Sequence, residues 1–219
     1  KELLLWPTDN LLASSTLLND EQKAQLKAEI SDKLIVQLTA EAEKIPLSES
    51  IPVALDWING RRTPDANQEL KSAIANLSLG TKAPHVFKSL VNAICFGSKK
   101  IVDRFEEEGV RIDTVIGIGG VARKSPFIMQ TLANVLNKPI KVALSDQAPA
   151  LGAAIYAAVA AGVYPNVIEA SQKMGSPFES EYTPQLDKVA AYNKLLLAYD
   201  QLSAYADPSI KKQHNELYI

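Results

Sequence analysis

Apolar residues recur at every fourth position through Leu26, Ile30, Leu34, Leu38 and Ala42, with Glu, Lys and Gln between them. That spacing draws one face of a helix. Asp20 can cap it and Pro46 closes it, so residues 1–50 read as a helical segment. The pattern then changes. Ile51 to Ile58 is a short apolar run with Val53, Leu55, Trp57 and Ile58, followed by Asn59-Gly60; it predicts a strand entering a tight turn. Residues 64–83 carry no clear period and read as irregular or weakly helical.

From Pro84 a long helix is expected, with Val86, Leu90, Ile94, Gly97, Ile101 and Phe105 as its inward stripe. Gly97 in mid-helix costs about 1 kcal/mol against Ala, so close approach of another backbone is the expected reason for it. Gly109 ends the helix. Asp113 to Ile118 reads as a buried strand and Gly119-Gly120 as a turn. Ser125 caps a further helix whose first residue, Pro126, has no N–H to lose, and whose inward side is Phe127, Ile128, Leu132, Val135 and Leu136. Pro139 to Leu144 is a second strand. Asp146 caps a helix over 148–161 that Gly162 and Pro165 stop. Strand–helix–strand–helix with short links is an α/β unit with parallel strands. Residues 165–219 read as mainly helical, with Tyr192, Leu195, Leu196, Tyr199 and Leu202 on the apolar face. Three parts follow: a helical segment over 1–50, an α/β core over 51–164 and a helical tail over 165–219.

Composition narrows the function. The 219 residues are 47% hydrophobic, 22% charged and 6% aromatic, which is ordinary for a globular chain and excludes disorder, collagen and coiled coil. A net charge of −2 without a block of one sign argues against a nucleic-acid partner, which needs a clustered cationic face. The longest small-apolar stretch, 148–164, is shorter than the roughly 20 residues that span a bilayer, so no membrane partner is expected either. One cysteine, Cys95, rules out an internal disulfide and points to a reducing, cytoplasmic setting. The N-terminus carries no signal-peptide pattern and opens on Lys1 rather than Met, as a fragment or processed chain would.

Candidate chemistry concentrates in VIGIGGVARKSPFIMQ, residues 115–130. A strand that ends in glycines and leads straight into a helix lets the backbone approach a ligand and offers free N–H groups to phosphate. A packed βα turn without ligand explains the same pattern equally well. A P-loop needs Gly directly before the Lys-Ser pair, where this chain has Arg123, so that motif fails. Gly117, Gly119 and Ala122 satisfy a loose dinucleotide fingerprint with Asp146 as the ribose acid, although the acid lies further along the chain than such a fingerprint places it. Small residues in ALGAA, from Ala150 through Ala154, suit close packing or a flat ligand. Asp56, Arg61 and Arg62 could meet a polar substrate or form a solvated hairpin tip, and Gly80-Thr81 is a slight phosphate-loop candidate. His85 and His214 lack ligand-spaced partners, which argues against a metal centre, and His85 at a helix start reads as structural. Cys95 lies among apolar residues, where a thiol is inert. No nucleophile–base pair is visible.

Three ordered motifs add a resemblance. LGTKAPHVFKSLVNAICFGSKKIVDRF (79–105), IGIGGVARKSPFIMQTLANVLNKPI (116–140) and SDQAPALGAAIYAAVAAGVY (145–164) resemble the C-terminal domain of the FGGY carbohydrate kinases. VALDWINGRRTPDANQ (53–68) together with GGVARKSPFIMQ is similar to the members that phosphorylate L-ribulose. The resemblance spans about residues 50–205. It implies an actin-like ATPase fold in which two RNase H-like domains close on ATP and sugar, this chain being an incomplete C-terminal domain with flanking helices. It implies ATP-dependent conversion of L-ribulose to L-ribulose 5-phosphate in L-arabinose breakdown, with Mg²⁺ on the ATP phosphates. It places Gly119 and Gly120 beside the adenosine and phosphates, Lys124 beside the base, Ser125 and Gln130 nearby, and ALGAA behind the pocket. It also implies that the sugar-binding residues, both other phosphate loops and the aspartate base lie outside this chain, so that no catalytic residue is expected within it. Apolar surface left open where neighbouring strands belong favours a homo-oligomer.

Overall fold

The computed structural model describes residues 2–207 and 209; His214 and the rest of the expected helical tail beyond that point lie outside the described residues. The chain begins with α1 (Glu2–Pro7), a π-helical turn (Thr8–Leu12) and α2 (Asp20–Lys44). The cap of α2 is Asn19, not Asp20. Its side chain accepts from the Gln22 N–H while the Gln22 side chain accepts from the Asn19 N–H, a reciprocal capping box. The helix ends at Lys44, just short of Pro46. Of the expected stripe only Leu38 and Ala42 are buried, because α2 meets α3 (Ala83–Glu107) through its last turns.

The strand expected over 51–58 shrinks to β1 (Val53–Ala54), paired antiparallel with β2 (Ile74–Ala75) in the segment that reads as irregular. Gly60 turns the chain at φ +76, as the Asn59-Gly60 signal requires. Helix α3 begins with Pro84 in its first turn and ends before Gly109 at φ +85. Its buried face follows the expected stripe only at Leu90 and Gly97. Ile94 and Phe105 are 55% and 51% exposed, whereas Lys88, Ser89, Asn92, Cys95 and Phe96 are buried. The helix is enclosed by α2, β1, α5 (Pro126–Leu136) and α8 (Leu186–Ala206), so polar positions go inside as well, and Asn92 Oδ1 is buried there without a hydrogen-bond partner. Lys88 donates through Nζ to the Ala42 and Ile45 carbonyls at 3.1 and 2.5 Å, closing the C-terminus of α2.

The α/β unit forms as the spacing predicts, except that the first strand is shorter than 113–118 and is not buried: it is the edge of the sheet, and Ile116 and Ile118 are exposed. Strand β3 (Val115–Gly117) runs parallel to β4 (Ile140–Ala143), pairing Val115 with Ile140 and Gly117 with Val142. Between them lie α4 (Gly119–Lys124) and α5, the latter capped by Ser125, whose Oγ accepts from the Ile128 N–H at 3.4 Å. The glycine pair is thus not a free turn: Gly119, at φ +83, bends the chain directly into α4. Gln147, not Asp146, precedes α6 (Ala148–Ala160), and Gly162 stops that helix at φ +73. After α7 (Val167–Met174) comes a strand that the sequence does not announce: β5 (Phe178–Tyr182) adds antiparallel to β4, giving the order β3-β4-β5.

Two apolar clusters flank α5. One joins Leu55, Trp57, Val91, Phe96, Val135, Tyr192 and Tyr199; the other joins Ala122, Met129, Ala133, Leu136, Ile140 and Val142. Helix α6 packs on α7, while Ala153, Ala154 and Ala157 stay exposed, so the tight packing expected of ALGAA is not made by the described residues. Ile116, Ile118 and Val121, at or just beyond edge strand β3, are also exposed.

Candidate functional site

Parallel strands leave their carboxyl ends on one side of the sheet, and loops that leave those ends meet there. A cleft of about 470 Å³ opens at that place. Gly120, Arg123 and Lys124 line it from the β3 side, Asp146 from the loop after β4, and Glu179, Ser180 and Tyr182 from β5. Nothing lies within 4 Å of where a Gly120 side chain would start, so its backbone faces open space. Gly119 is equally open, and its positive φ suits glycine.

Of the five candidate residues, Gly120 and Lys124 line this cleft and Gly119 adjoins it. Ser125 spends its oxygen on the cap of α5. Gln130 points along the other flank of the helix, donating through Nε2 to Asn134 Oδ1 at 3.1 Å and to the Thr183 carbonyl at 2.9 Å, which ties the end of β5 to α5. The residue that organises the cleft is one that pattern reading passed over. Arg123 donates through Nε to Glu179 at 2.8 Å and forms an ion pair through NH1 with Asp146. The hydrogen bond and charge of Glu179 hold its guanidinium above its ordinary pKa. No local signal could have found them, since the partners lie 56 and 23 residues away in sequence.

The dinucleotide fingerprint fares worse. A Cβ at Gly117 would stand 3.2 Å from Ala122 Cβ and 3.6 Å from Met129 Sδ, so that glycine serves packing within the core. Asp146, its proposed ribose acid, is engaged by Arg123.

A second and larger cavity, about 1430 Å³, lies between the 56–67 loop, α3 and α8. The loop is not a solvated tip. Arg61 donates through Nε to the Asp65 carbonyl at 2.9 Å, pairs with Asp207 at 2.9 Å and covers the Trp57 ring at 5.2 Å. Asp56 accepts from Tyr199 Oη at 2.8 Å, and burial raises its carboxyl above the ordinary range. Lys100 and Arg104 at the rim pair with Asp200 and Asp65. Arg61, Lys100 and Arg104 are thus paired with carboxylates around this cavity, while Arg62 lines it exposed.

The remaining candidates are structural. His85 Nδ1 accepts from the Lys82 N–H at 2.9 Å and Nε2 faces Glu49 at 3.0 Å. Thr81 Oγ1 accepts from the Ser78 N–H at 2.9 Å, closing the turn that contains Gly80. Cys95 is fully buried, which pushes its thiol up to about 12. Among the described residues no group of three or more His, Cys, Asp or Glu could hold a metal ion, and no helix is long and apolar enough to cross a membrane.

Comparison with known proteins agrees with this geometry. Residues 6–161 match the model of the FGGY family of carbohydrate kinases, C-terminal domain. A ribulokinase of Vibrio parahaemolyticus is 41% identical over 212 residues, which is 94% of this chain and 36% of that protein. A ribulokinase of Geobacillus thermodenitrificans is 41% identical over 70% of this chain and 28% of its own length. Among solved structures, xylulose kinase from Rhodospirillum rubrum superposes with a TM-score of 0.70 at 22% identity, over 84% of this chain and 36% of that one. That likeness carries the fold, a partial actin-like ATPase domain with flanking helices. The chain spans about a third of the length of the first of these curated relatives. Its α/β unit, its cleft at the strand ends and its matched residues together place it: the chain belongs to the FGGY family of carbohydrate kinases, as the C-terminal domain of that family.

Proposed function

We propose that this chain is the closing part of an ATP-dependent sugar kinase that phosphorylates L-ribulose, and that it supplies the adenosine side of the catalytic cleft. The observation that carries the reading is the 41% identity to a ribulokinase over 94% of the chain. The cleft beside Gly120 and Lys124 adds a place for ADP: exposed backbone, a cation and carboxylates gather at the strand ends. Phosphoryl transfer depends chiefly on positioning and charge neutralisation. Lys124 and the 119–124 backbone would hold the nucleotide, with Ser125 and Gln130 fixing the helix behind it. The described residues offer no donor set for magnesium, so Mg²⁺ would arrive on the ATP phosphates and be held by them. The sugar site and the base that activates its hydroxyl would come from the rest of such a kinase. Exposed Ile116, Ile118 and Val121 beside strand β3 mark where further chain, or a second copy, would cover the sheet.

Replacing the corresponding C-terminal third of the Vibrio parahaemolyticus ribulokinase with this chain tests the reading. L-ribulose-dependent ADP release from the chimera is expected. A folded chimera that releases no ADP with any ketopentose sinks it.

A further inference from the structure

Arg123 stands out because its side chain is only 28% exposed, lines the cleft and is gripped by two carboxylates. A guanidinium is planar and its N–H bonds lie in that plane. Hydrogen bonds to Glu179 Oε1 and Asp146 Oδ1 therefore occupy its edges and hold the plane in orientation, leaving its faces without hydrogen bonds. A fixed, flat cation beside open space is suited to stack on an aromatic ring. Lys124, one residue on, is exposed and free to meet phosphate instead.

We propose that Arg123 is the base-binding platform of the nucleotide cleft, stacking on the purine ring, and that Asp146 and Glu179 are positioning residues that hold the guanidinium in place. This rests on the reading of the cleft as a nucleotide site and adds what selects the base. Larger purine rings overlap a guanidinium more fully than pyrimidines do, so ADP is preferred over UDP. The grip also divides labour differently from the family resemblance, which sets Lys124 beside the base: Arg123 serves the base, while the diphosphate is left to Lys124 and the backbone beside Gly120.

The test is calorimetric titration of this chain with ADP, UDP and inorganic pyrophosphate, for the parent and for Arg123→Lys, Glu179→Gln and Asp146→Asn. Circular dichroism checks that each variant is folded. Arg123→Lys keeps the charge and loses the plane. Base stacking of ordinary strength makes ADP binding about tenfold weaker in that variant. Pyrophosphate binding stays unchanged, the preference for ADP over UDP disappears, and the drop in adenine ultraviolet absorbance on binding is lost. Glu179→Gln and Asp146→Asn weaken ADP by a smaller factor and spare pyrophosphate. Equal ADP affinity in the parent and Arg123→Lys overturns the platform and leaves the nucleotide reading standing. Equal losses of ADP and pyrophosphate overturn it too, because Arg123 would then act as a charge. Absence of ADP binding by the parent removes the nucleotide reading and the platform with it.

Discussion

Replacing Gly97 by Ala probes the tightest contact between the 56–67 loop and the helical layer. In an ordinary helix interior this change stabilises by about 1 kcal/mol. Here it should do the opposite. A Cβ built at Gly97 falls 2.8 Å from Asp56 Cγ and closer still to one carboxyl oxygen. Gly97 is buried where the larger cavity meets α3, and Asp56 is fixed there by Tyr199 next to the buried Leu55 and Trp57. Forcing extra atoms into a buried contact costs typically about 1–3 kcal/mol. Displacing Asp56 also breaks its bond with Tyr199 Oη, a loss of about 1 kcal/mol. Subtracting the helix gain leaves a net destabilisation of about 1–3 kcal/mol. Urea denaturation followed by tryptophan fluorescence reads this directly, since Trp57 is buried beside the site. The partner variant Asp56→Ala opens the space. In that background Gly97→Ala should become neutral or stabilising, giving a coupling above about 1 kcal/mol for residues in contact. A Gly97→Ala protein as stable as the parent, or an additive pair, would refute the reasoning.

Gly120→Arg should abolish ADP binding while leaving the helical circular dichroism intact, because the new side chain meets only open space in the fold and fills the cleft; unchanged ADP affinity would exclude this site. Asp56 carries a pH signature. Burial raises its folded pKa above the unfolded value of 3.8, so folding is favoured by protonation below that value and this contribution is lost as pH rises through the folded pKa. Asp56→Asn keeps an acceptor for Tyr199 and should flatten the stability–pH curve above pH 3.8; a variant with the parent's slope would contradict the assignment. Lys88→Met removes the ammonium that closes α2 and leaves the Ala42 and Ile45 carbonyls without it, at a cost of about 1–3 kcal/mol; fraying of α2 should show as faster hydrogen exchange in its last turn. Cys95 should react with a thiol reagent only at the rate of unfolding, given its burial and a thiol pushed up to about 12. Rapid labelling of the native protein would contradict that burial.

Residues 109–162 were the most legible stretch, and the reason is local chemistry. Ser125 and Pro126 start α5, Gly109 and Gly162 end their helices in the left-handed region, and the apolar runs 115–117 and 140–143 pair in parallel as their spacing requires. Each of those signals acts within a few residues of itself, so composition and order alone decide it. The family motif over 116–140 sits in the same stretch and contains Gly120 and Lys124, which line the cleft. What the sequence could not show is what depends on distant partners. Residues 165–219 read as mainly helical throughout, yet 178–182 within them become β5 because the free edge of β4 offers hydrogen bonds. The face of α3 follows from enclosure by four elements, which buries Lys88 and Asn92 and leaves Ile94 outside, so an amphipathic stripe is the wrong template for a surrounded helix. Gly97 does mark a close approach, but of the Asp56 side chain and not of a backbone. Arg123 is one more charged residue until folding brings Asp146 and Glu179 to its edges. Caps, breakers and periodicity are properties of neighbouring residues and survive in the sequence; the orientation of a side chain in a cleft is set by groups the chain brings together only when it folds.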